Sequence, residues 1–146
     1  MKRIPLTQGK VALVSDQDYW LVRKFTWCAH KEHRSWYAVT GDPQIKMHRL
    51  LASFPPFDLD HKNGHGLDNR RSNLRPASKS ENGANRKKQH SGSGYKGVYK
   101  QRKNWIARIK VRGKRINLGT VSSVREARIL YAQAAKKYFG KFARTE

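Results

Sequence analysis

The chain has 146 residues, of which 32 are Lys or Arg and 10 are Asp or Glu, so its formal net charge is +22. This surplus excludes an ordinary neutral metabolic enzyme as the expected class and indicates a polyanionic partner, above all nucleic acid. The single cysteine excludes an intrachain disulfide and a zinc site built on several thiolates. Since no apolar run is long enough to span a bilayer and residues 1–8 lack a signal peptide, we expect a soluble, cytoplasmic protein.

Positive charge is distributed unevenly along the chain. Residues 1–90 carry 17 basic and 8 acidic side chains, whereas residues 91–146 carry 15 basic and 2 acidic ones. The small polar stretch from Gln89 to Gly94 is typical of a linker. The sequence therefore predicts two domains, 1–90 and 91–146, and an α+β fold.

The first 53 residues alternate between short strand and helix patterns. They predict a hairpin within residues 4–14, a short helix near 17–24, strands at 25–30 and 35–40, and a helix at 46–53 that carries His48. The aromatic and thiol side chains of this region are expected to be packed in a core: Trp20, Trp27, Cys28, Trp36 and Tyr37.

Residues 55–82 carry the chemistry. A strand can end at Asp60 and His61, a loop rich in Gly, Asn and Asp follows, and residues 73–75 can form a return strand. The capping-box pattern from Ser78 to Glu81 predicts a helix start that places Asn82 in the first turns. Carboxylate and carboxamide oxygens suit Mg²⁺, with Mn²⁺ as the alternative, and an imidazole beside them can take a proton from water.

This segment resembles the HNH homing endonucleases, whose catalytic unit is a ββα-metal fold. The motifs that carry the resemblance lie within residues 45–88: Met47-His48-Arg49-Leu50, Asp60-His61-Lys62-Asn63-Gly64, Asn69-Arg70-Arg71-Ser72-Asn73-Leu74-Arg75 and Glu81-Asn82. The resemblance implies that His61 is the general base, that Asp60 and Asn82 bind the metal, and that Asn73 supports the catalytic site from the second strand. Two interpretations of His48 remain open, a structural side chain and a phosphate contact.

The residues of this segment also allow other interpretations. Asp60 and Asn82 can be ordinary turn and helix-cap residues, as Asp and Asn often are. His61 and His65 can be a fragment of a zinc site, although no second thiolate accompanies them. A calcium loop at residues 58–64 is rejected, because it lacks the ligand at Lys62 and the terminal acid.

The pattern of the second predicted domain, residues 91–146, is typical of a sheet covered by a helix. Apolar side chains occupy the odd positions of residues 105–111, so the basic even positions share the other face. Residues 114–119 continue the alternation, and Ser123 is the expected N-cap of a helix that ends at Gly140. The helix face expected to cover the sheet comprises Val124, Ala127, Tyr131, Ala134, Ala135 and Tyr138. These patterns predict a three-stranded antiparallel sheet packed on one helix, with a basic outer face.

Residues 93–143 resemble the plant ethylene-response-factor (Apetala-type) DNA-binding domain. The resemblance rests on Tyr95-Lys96-Gly97-Val98, Trp105-Ile106-Ala107-Arg108-Ile109, Leu118-Gly119-Thr120 and the run from Glu126 to Ala135. It implies that the sheet reads the DNA major groove through Tyr99, Arg108, Lys110, Arg115 and Asn117. The first hairpin is shorter than in the plant domains, and Tyr99 and Asn117 stand where Arg and Trp are usual, so the plant target sequence does not transfer.

Together these features predict a site-directed, metal-dependent endonuclease that acts on double-stranded DNA. We expect a monomer that needs neither a membrane nor a protein partner. The first alternative is a non-catalytic DNA-binding regulator with a vestigial nuclease site. A structural RNA-binding protein is the second, although no paired-aromatic sheet motif for stacking bases is evident.

Overall fold

The computed structural model describes residues 1–41, 43–87 and 92–145. The fold is mixed α+β, as predicted, and the chain divides into two compact units, Met1–Ala77 and Ser78–Glu146, here called unit 1 and unit 2. This division falls earlier in the chain than the predicted boundary near residue 91. The predicted linker lies partly outside the described residues, because it includes 89–91.

The first half of unit 1 consists of short antiparallel strands. Strand β1 (Lys2–Pro5) pairs with β2 (Val11–Val14), which confirms the predicted hairpin. One helical turn, α1 (Tyr19–Val22), leads into a three-stranded sheet of β3 (Cys28–Glu32), β4 (Ser35–Thr40) and β5 (Ile45–Lys46), in the order β3-β4-β5.

The second half of unit 1 carries the candidate catalytic residues. Helix α2 (Met47–Leu51) is followed by the antiparallel pair β6 (Asp58–His61) and β7 (Leu74–Ala77), with Asp60 opposite Arg75. The predicted strand end at His61 is therefore confirmed. A long loop joins the two strands and closes with a 3₁₀ turn at Arg71–Asn73.

The core of unit 1 is small and apolar. It joins the first hairpin, α1, β4 and α2 through buried Ile4, Ala12, Val14, Val22, Trp27, Ala38, Met47 and Leu51. Two predictions of core residues are wrong. Trp20 is 66% exposed, because the single turn of α1 directs Val22 inward instead. Cys28 is exposed, since the pleat of β3 buries its neighbour Ala29.

Unit 2 begins with the predicted capping box. The Ser78 hydroxyl accepts from the Glu81 amide while the Glu81 carboxylate accepts from the Ser78 amide, which starts α3 (Lys79–Asn85). Three antiparallel strands follow, β8 (Val98–Gln101), β9 (Asn104–Val111) and β10 (Lys114–Val121), in the order β10-β9-β8. Ser123 then caps the long helix α4 (Val124–Phe139).

Helix α4 covers one face of this sheet, as the alternation predicts. Its buried residues are Ala127, Tyr131, Ala134, Ala135 and Phe139, so the prediction that Tyr138 faces the core is wrong. The sheet meets the helix closely at Gly97, where a Cβ atom would lie 2.2 Å from the Tyr131 ring and 2.5 Å from the Arg108 carbonyl oxygen. Within the described residues, no helix is both long and apolar enough to cross a membrane.

Lys96 fastens α3 to the rest of unit 2. Its ammonium donates to the carbonyl oxygens of Gly83, Ala84 and Arg86, the last of these at 2.8 Å, and so satisfies acceptors at the end of a short helix. Burial lowers the pKa of Lys96 to about 8, with the nearby charges of Arg144 and Arg86 acting in the same direction. Helix α3 is thus held by a half-buried lysine.

Candidate active site

His61 closes strand β6 as a buried imidazole, with only 7% of the residue exposed. Its Nε2 lies 3.2 Å from the Oδ1 atom of Asn69, a residue with no exposed surface. The Nδ2 of Asn69 donates to the Leu67 carbonyl oxygen, so Oδ1 is the atom turned toward the histidine. An amide oxygen can only accept, so Nε2 carries the proton and Nδ1 is the unprotonated nitrogen of neutral His61.

His61 belongs to a cluster of three rings. The His48 ring packs edge-on against it with the ring centroids 5.0 Å apart, and Tyr37 lies 5.8 Å from His48 and 6.0 Å from His61. His48 is itself buried on α2. The assignment of His48 as a phosphate contact stays a prediction, while its packing role is what the structure shows.

Both imidazoles are held in the neutral form. Burial lowers the pKa of His48 to about 3, assisted by the neighbouring His61, Lys46 and Arg49. Burial also lowers the pKa of His61, although the hydrogen bond to Asn69 and the nearby carboxylates of Asp60 and Asp68 oppose the shift. A neutral imidazole at neutral pH is the form that can accept a proton.

Asp60 precedes His61 on β6 and is also buried. Arg75, its partner across the hairpin, contacts the carboxylate through Nε at 2.8 Å and Nη2 at 2.7 Å, both on Oδ2. Since the hairpin register sets Asp60 opposite Arg75, the ion pair follows from the pairing of β6 and β7. It places a fixed positive charge beside the candidate metal ligand.

Asn73 organises the loop that follows His61. Its Nδ2 donates to the Asp68 carbonyl oxygen at 2.7 Å and to Asn63 Oδ1 at 3.1 Å, and its Oδ1 accepts from the Asn63 amide. Asp68 receives a two-point contact from the Arg70 guanidinium, which lowers the pKa of that carboxyl. Asn73 therefore fixes the backbone of this loop from the 3₁₀ turn just before β7 rather than from the second strand itself, and its role in catalysis stays a prediction.

The loop is also fastened to the start of the chain. The Arg71 guanidinium donates to the buried carboxylate of Asp18 through Nε and Nη2, and the shorter of these two hydrogen bonds is 2.7 Å. Gly66 lets the loop approach β4, because a Cβ there would lie 2.5 Å from the Trp36 carbonyl oxygen and 2.6 Å from the Tyr37 ring. These contacts hold the loop against the ring that touches both histidines.

Among the predicted metal ligands, unit 1 holds one, the carboxylate of Asp60, and its chemistry suits a hard divalent cation. The carboxylate of Asp60 is a hard oxygen donor in a buried, charge-paired position. Across residues 1–41, 43–87 and 92–145, no three or more His, Cys, Asp or Glu side chains are grouped to hold a metal ion. Asn82, the second predicted ligand, lies on α3 in unit 2, and its role stays a prediction.

Asn69 is the site residue to which the sequence assigned no role. It stands inside the motif Asn69-Arg70-Arg71-Ser72-Asn73-Leu74-Arg75, where it looks like one more loop asparagine. Its complete burial and its contact with His61 are tertiary facts. The one sequence feature that sets Asn69 apart is its place between Leu67 and Asn73, in a loop otherwise rich in glycine and charged residues.

In unit 2 the predicted DNA-facing residues are cross-strand neighbours. Arg115 pairs with Lys110 and Asn117 with Arg108 across β10 and β9, so these four side chains share one face. Tyr99 lies on β8 opposite Ile106 and is half-exposed. The structure thus groups these residues on one sheet.

No protein-family model, no curated protein and no solved structure matches this chain.

Proposed function

We propose that this protein is a metal-dependent endonuclease of the HNH type that hydrolyses phosphodiester bonds in duplex DNA. The observation that supports this most directly is the oriented, neutral imidazole of His61 directly after the buried carboxylate of Asp60. A net charge of +22 supplies the attraction to a phosphate backbone. The HNH resemblance supplies the reaction class.

In this proposal the protein's own residues divide the work. His61 takes a proton from water at Nδ1, and the hydroxide formed attacks phosphorus while the bond to the 3′ oxygen breaks. Asn69 keeps the proton on Nε2, which leaves Nδ1 as the accepting atom, and Asn73 fixes the loop behind it. A Mg²⁺ or Mn²⁺ ion held by Asp60, with Asn82 as the second ligand implied by the resemblance, would supply positive charge for the phosphate and the leaving oxygen.

Plasmid nicking tests the catalytic role of His61 with an internal control. We expect His61→Ala to lose about 10²–10⁴-fold in rate, because that is the usual contribution of a general base. His65→Ala is the matched control, since His65 is an exposed histidine of the same loop, and it should cut as the unaltered protein does. Each is assayed with Mg²⁺ and with EDTA, and affinity for duplex is measured alongside.

Equal nicking rates for His61→Ala and His65→Ala would contradict the assignment. A lack of Mg²⁺-dependent nicking by the unaltered protein, together with tight duplex binding, would favour the non-catalytic DNA-binding regulator. The specific observation in favour of that alternative is the Arg75 guanidinium on Asp60 Oδ2, which already neutralises the candidate ligand.

We further propose that the basic face of β9 and β10 reads the DNA. Arginine presents a planar fork that matches guanine, whereas lysine is a point charge suited to phosphate. Arg108→Ala and Arg115→Ala should each relax preference at one or two base positions in a randomised duplex pool. Lys110→Ala should weaken binding to all DNA sequences alike. It should also lower the slope of log affinity against log salt concentration by about one. An unchanged preferred sequence in both arginine variants would exclude this face as the reader.

A further inference from the structure

The turn between α2 and β6 displays two phenylalanines to solvent. Phe54 is 51% exposed and Phe57 is 46% exposed. Pro55, which directly follows Phe54, is buried. Large apolar side chains that project singly are common, but here two exposed phenylalanines lie within four residues on one short turn. We call Phe54 and Phe57 the aromatic pair.

The backbone of this turn is strained where it displays the pair. Ser53 has φ 56° and Phe54 has φ 51°, so two consecutive residues other than glycine adopt the left-handed region. A bulky side chain with positive φ is an outlier that persists only where surrounding structure enforces it. Strain of this kind is concentrated at functional segments.

Arg49 is the residue that enforces the conformation. Its guanidinium donates to the Phe57 carbonyl oxygen and to the Pro55 carbonyl oxygen, both at 2.8 Å. Its own carbonyl oxygen accepts from the Phe54 amide at 2.9 Å. The aromatic pair therefore projects from a clamped turn, which lowers the entropy lost when the pair binds.

The pair also lies close to the candidate base along the chain. Phe57 stands four residues before His61, so at about 3.3 Å per residue an extended chain separates them by at most about 13 Å. Successive base pairs of duplex DNA are about 3.4 Å apart along each strand. The backbone of Phe57 thus lies within the length of about four base steps of the backbone of His61.

We propose that Phe54 and Phe57 form a wedge that enters the minor groove of duplex DNA and partly unstacks a base step beside the phosphate to be cut. Apolar side chains, phenylalanine among them, act in this way in proteins that kink DNA. The proposal rests on the proposed function in one respect, that the chain acts on duplex DNA. It adds a local deformation of the substrate to that function.

The observations favour DNA over a second copy of the chain as the occupant. The pair exposes roughly 200 Å² in total, taking about 200 Å² for a whole phenylalanine side chain, whereas a stable interface buries about 800 Å² per partner. Two copies that each carry +22 would also repel one another. DNA brings the opposite charge and an apolar gap between bases that accepts a ring.

The test compares binding to two synthetic 30-bp duplexes of mixed sequence. One is fully paired, and the other carries a single unpaired adenine, which removes part of the unstacking cost. Binding is measured by anisotropy in EDTA for the full chain, for the double variant Phe54→Ala/Phe57→Ala and for Tyr138→Ala. Tyr138 is the matched control because it is an exposed aromatic residue of unit 2.

The unaltered protein and Tyr138→Ala are expected to bind the bulged duplex about tenfold more tightly than the paired one. The alanine double variant should bind both duplexes equally, and Phe54→Leu/Phe57→Leu should retain the preference because leucine also acts as a wedge. Circular dichroism checks each fold, and if the double alanine variant fails to fold, the single variants Phe54→Ala and Phe57→Ala replace it and should each lower the preference.

The proposal is overturned if the unaltered protein shows no preference, if the alanine variant keeps it, or if Tyr138→Ala loses it. Sedimentation of the unaltered chain, but not the alanine variant, with phosphatidylglycerol–phosphatidylcholine vesicles would assign the pair to a membrane instead. A dimer in light scattering that the alanine variant abolishes would assign it to a second copy. Absence of Mg²⁺-dependent nicking with the bulge preference intact would overturn the nuclease proposal alone.

Discussion

The pair of buried imidazoles should make unit 1 sensitive to acid, and His48 allows the effect to be measured. Its pKa is about 3 in the folded protein, against about 6.5 for an unperturbed histidine. Between these values the unfolded chain binds a proton that the folded chain does not. Stability is therefore lost as the pH falls from about 7 toward 3.

The size of the loss follows from the two pKa values. A group with a pKa near 6.5 in the unfolded chain and near 3 in the folded protein lowers the free energy of unfolding by about 2 kcal/mol when the pH falls from 7 to 5. His61 should add to the loss, because burial also lowers its pKa. Solvent screens His48 little, since only 7% of the residue is exposed.

Urea unfolding at pH 7 and pH 5 measures this loss. Tryptophan fluorescence reports mainly on unit 1, which holds three of the four tryptophans, namely Trp20, Trp27 and Trp36. In His48→Phe a ring remains packed but cannot titrate, so this variant should lose about 2 kcal/mol less than the unaltered protein on acidification. His65→Gln is the control and should behave as the unaltered protein. Equal losses in His48→Phe and the unaltered protein would refute the reasoning.

Two further predictions concern unit 2. Gly97→Ala should cost at least about 2 kcal/mol more than Gly113→Ala in urea unfolding followed by circular dichroism. Both glycines have positive φ, but only at Gly97 does a Cβ meet Tyr131, while nothing lies within 4 Å of one at Gly113; equal costs would show that the contact relaxes freely. A fragment of residues 78–146 should also be more stable than one of residues 91–146, because the shorter fragment lacks α3 and its contacts. Matching urea midpoints and slopes for the two fragments would show that α3 adds nothing.

Much of the local structure could be predicted because short-range chemistry determines it. The alternation in β9 and the capping box at Ser78 each have one reasonable interpretation, and both are present. The three wrong predictions of buried side chains, for Trp20, Cys28 and Tyr138, arise where neighbouring residues compete for one buried position. Val22 replaces Trp20, and Phe139, four residues after Ala135, replaces Tyr138.

The candidate site was predicted in outline but not in its partners. The positions of Asp60 and His61 at a strand end follow from the pattern of residues 57–64. The Arg75 contact depends on the hairpin register, which a long loop leaves undetermined from sequence. The Asn69 contact depends on how that loop folds back, and no periodicity encodes this. The roles assigned to Asp60, His61, Asn73 and Asn82 remain predictions.

The hydrogen bonds from Lys96 to the end of α3 determine which part of this protein can be transferred as a module. Since Lys96 holds the carbonyl oxygens of Gly83, Ala84 and Arg86, and the Ser80 hydroxyl accepts from the Arg112 amide, α3 is structurally the first element of the sheet module. A recombination event that moved the module with its own helix would have its junction at Ala77–Ser78, in the turn after β7. A graft of the module onto another protein should use that junction, since a cut at residue 91 separates the lysine from the helix it caps.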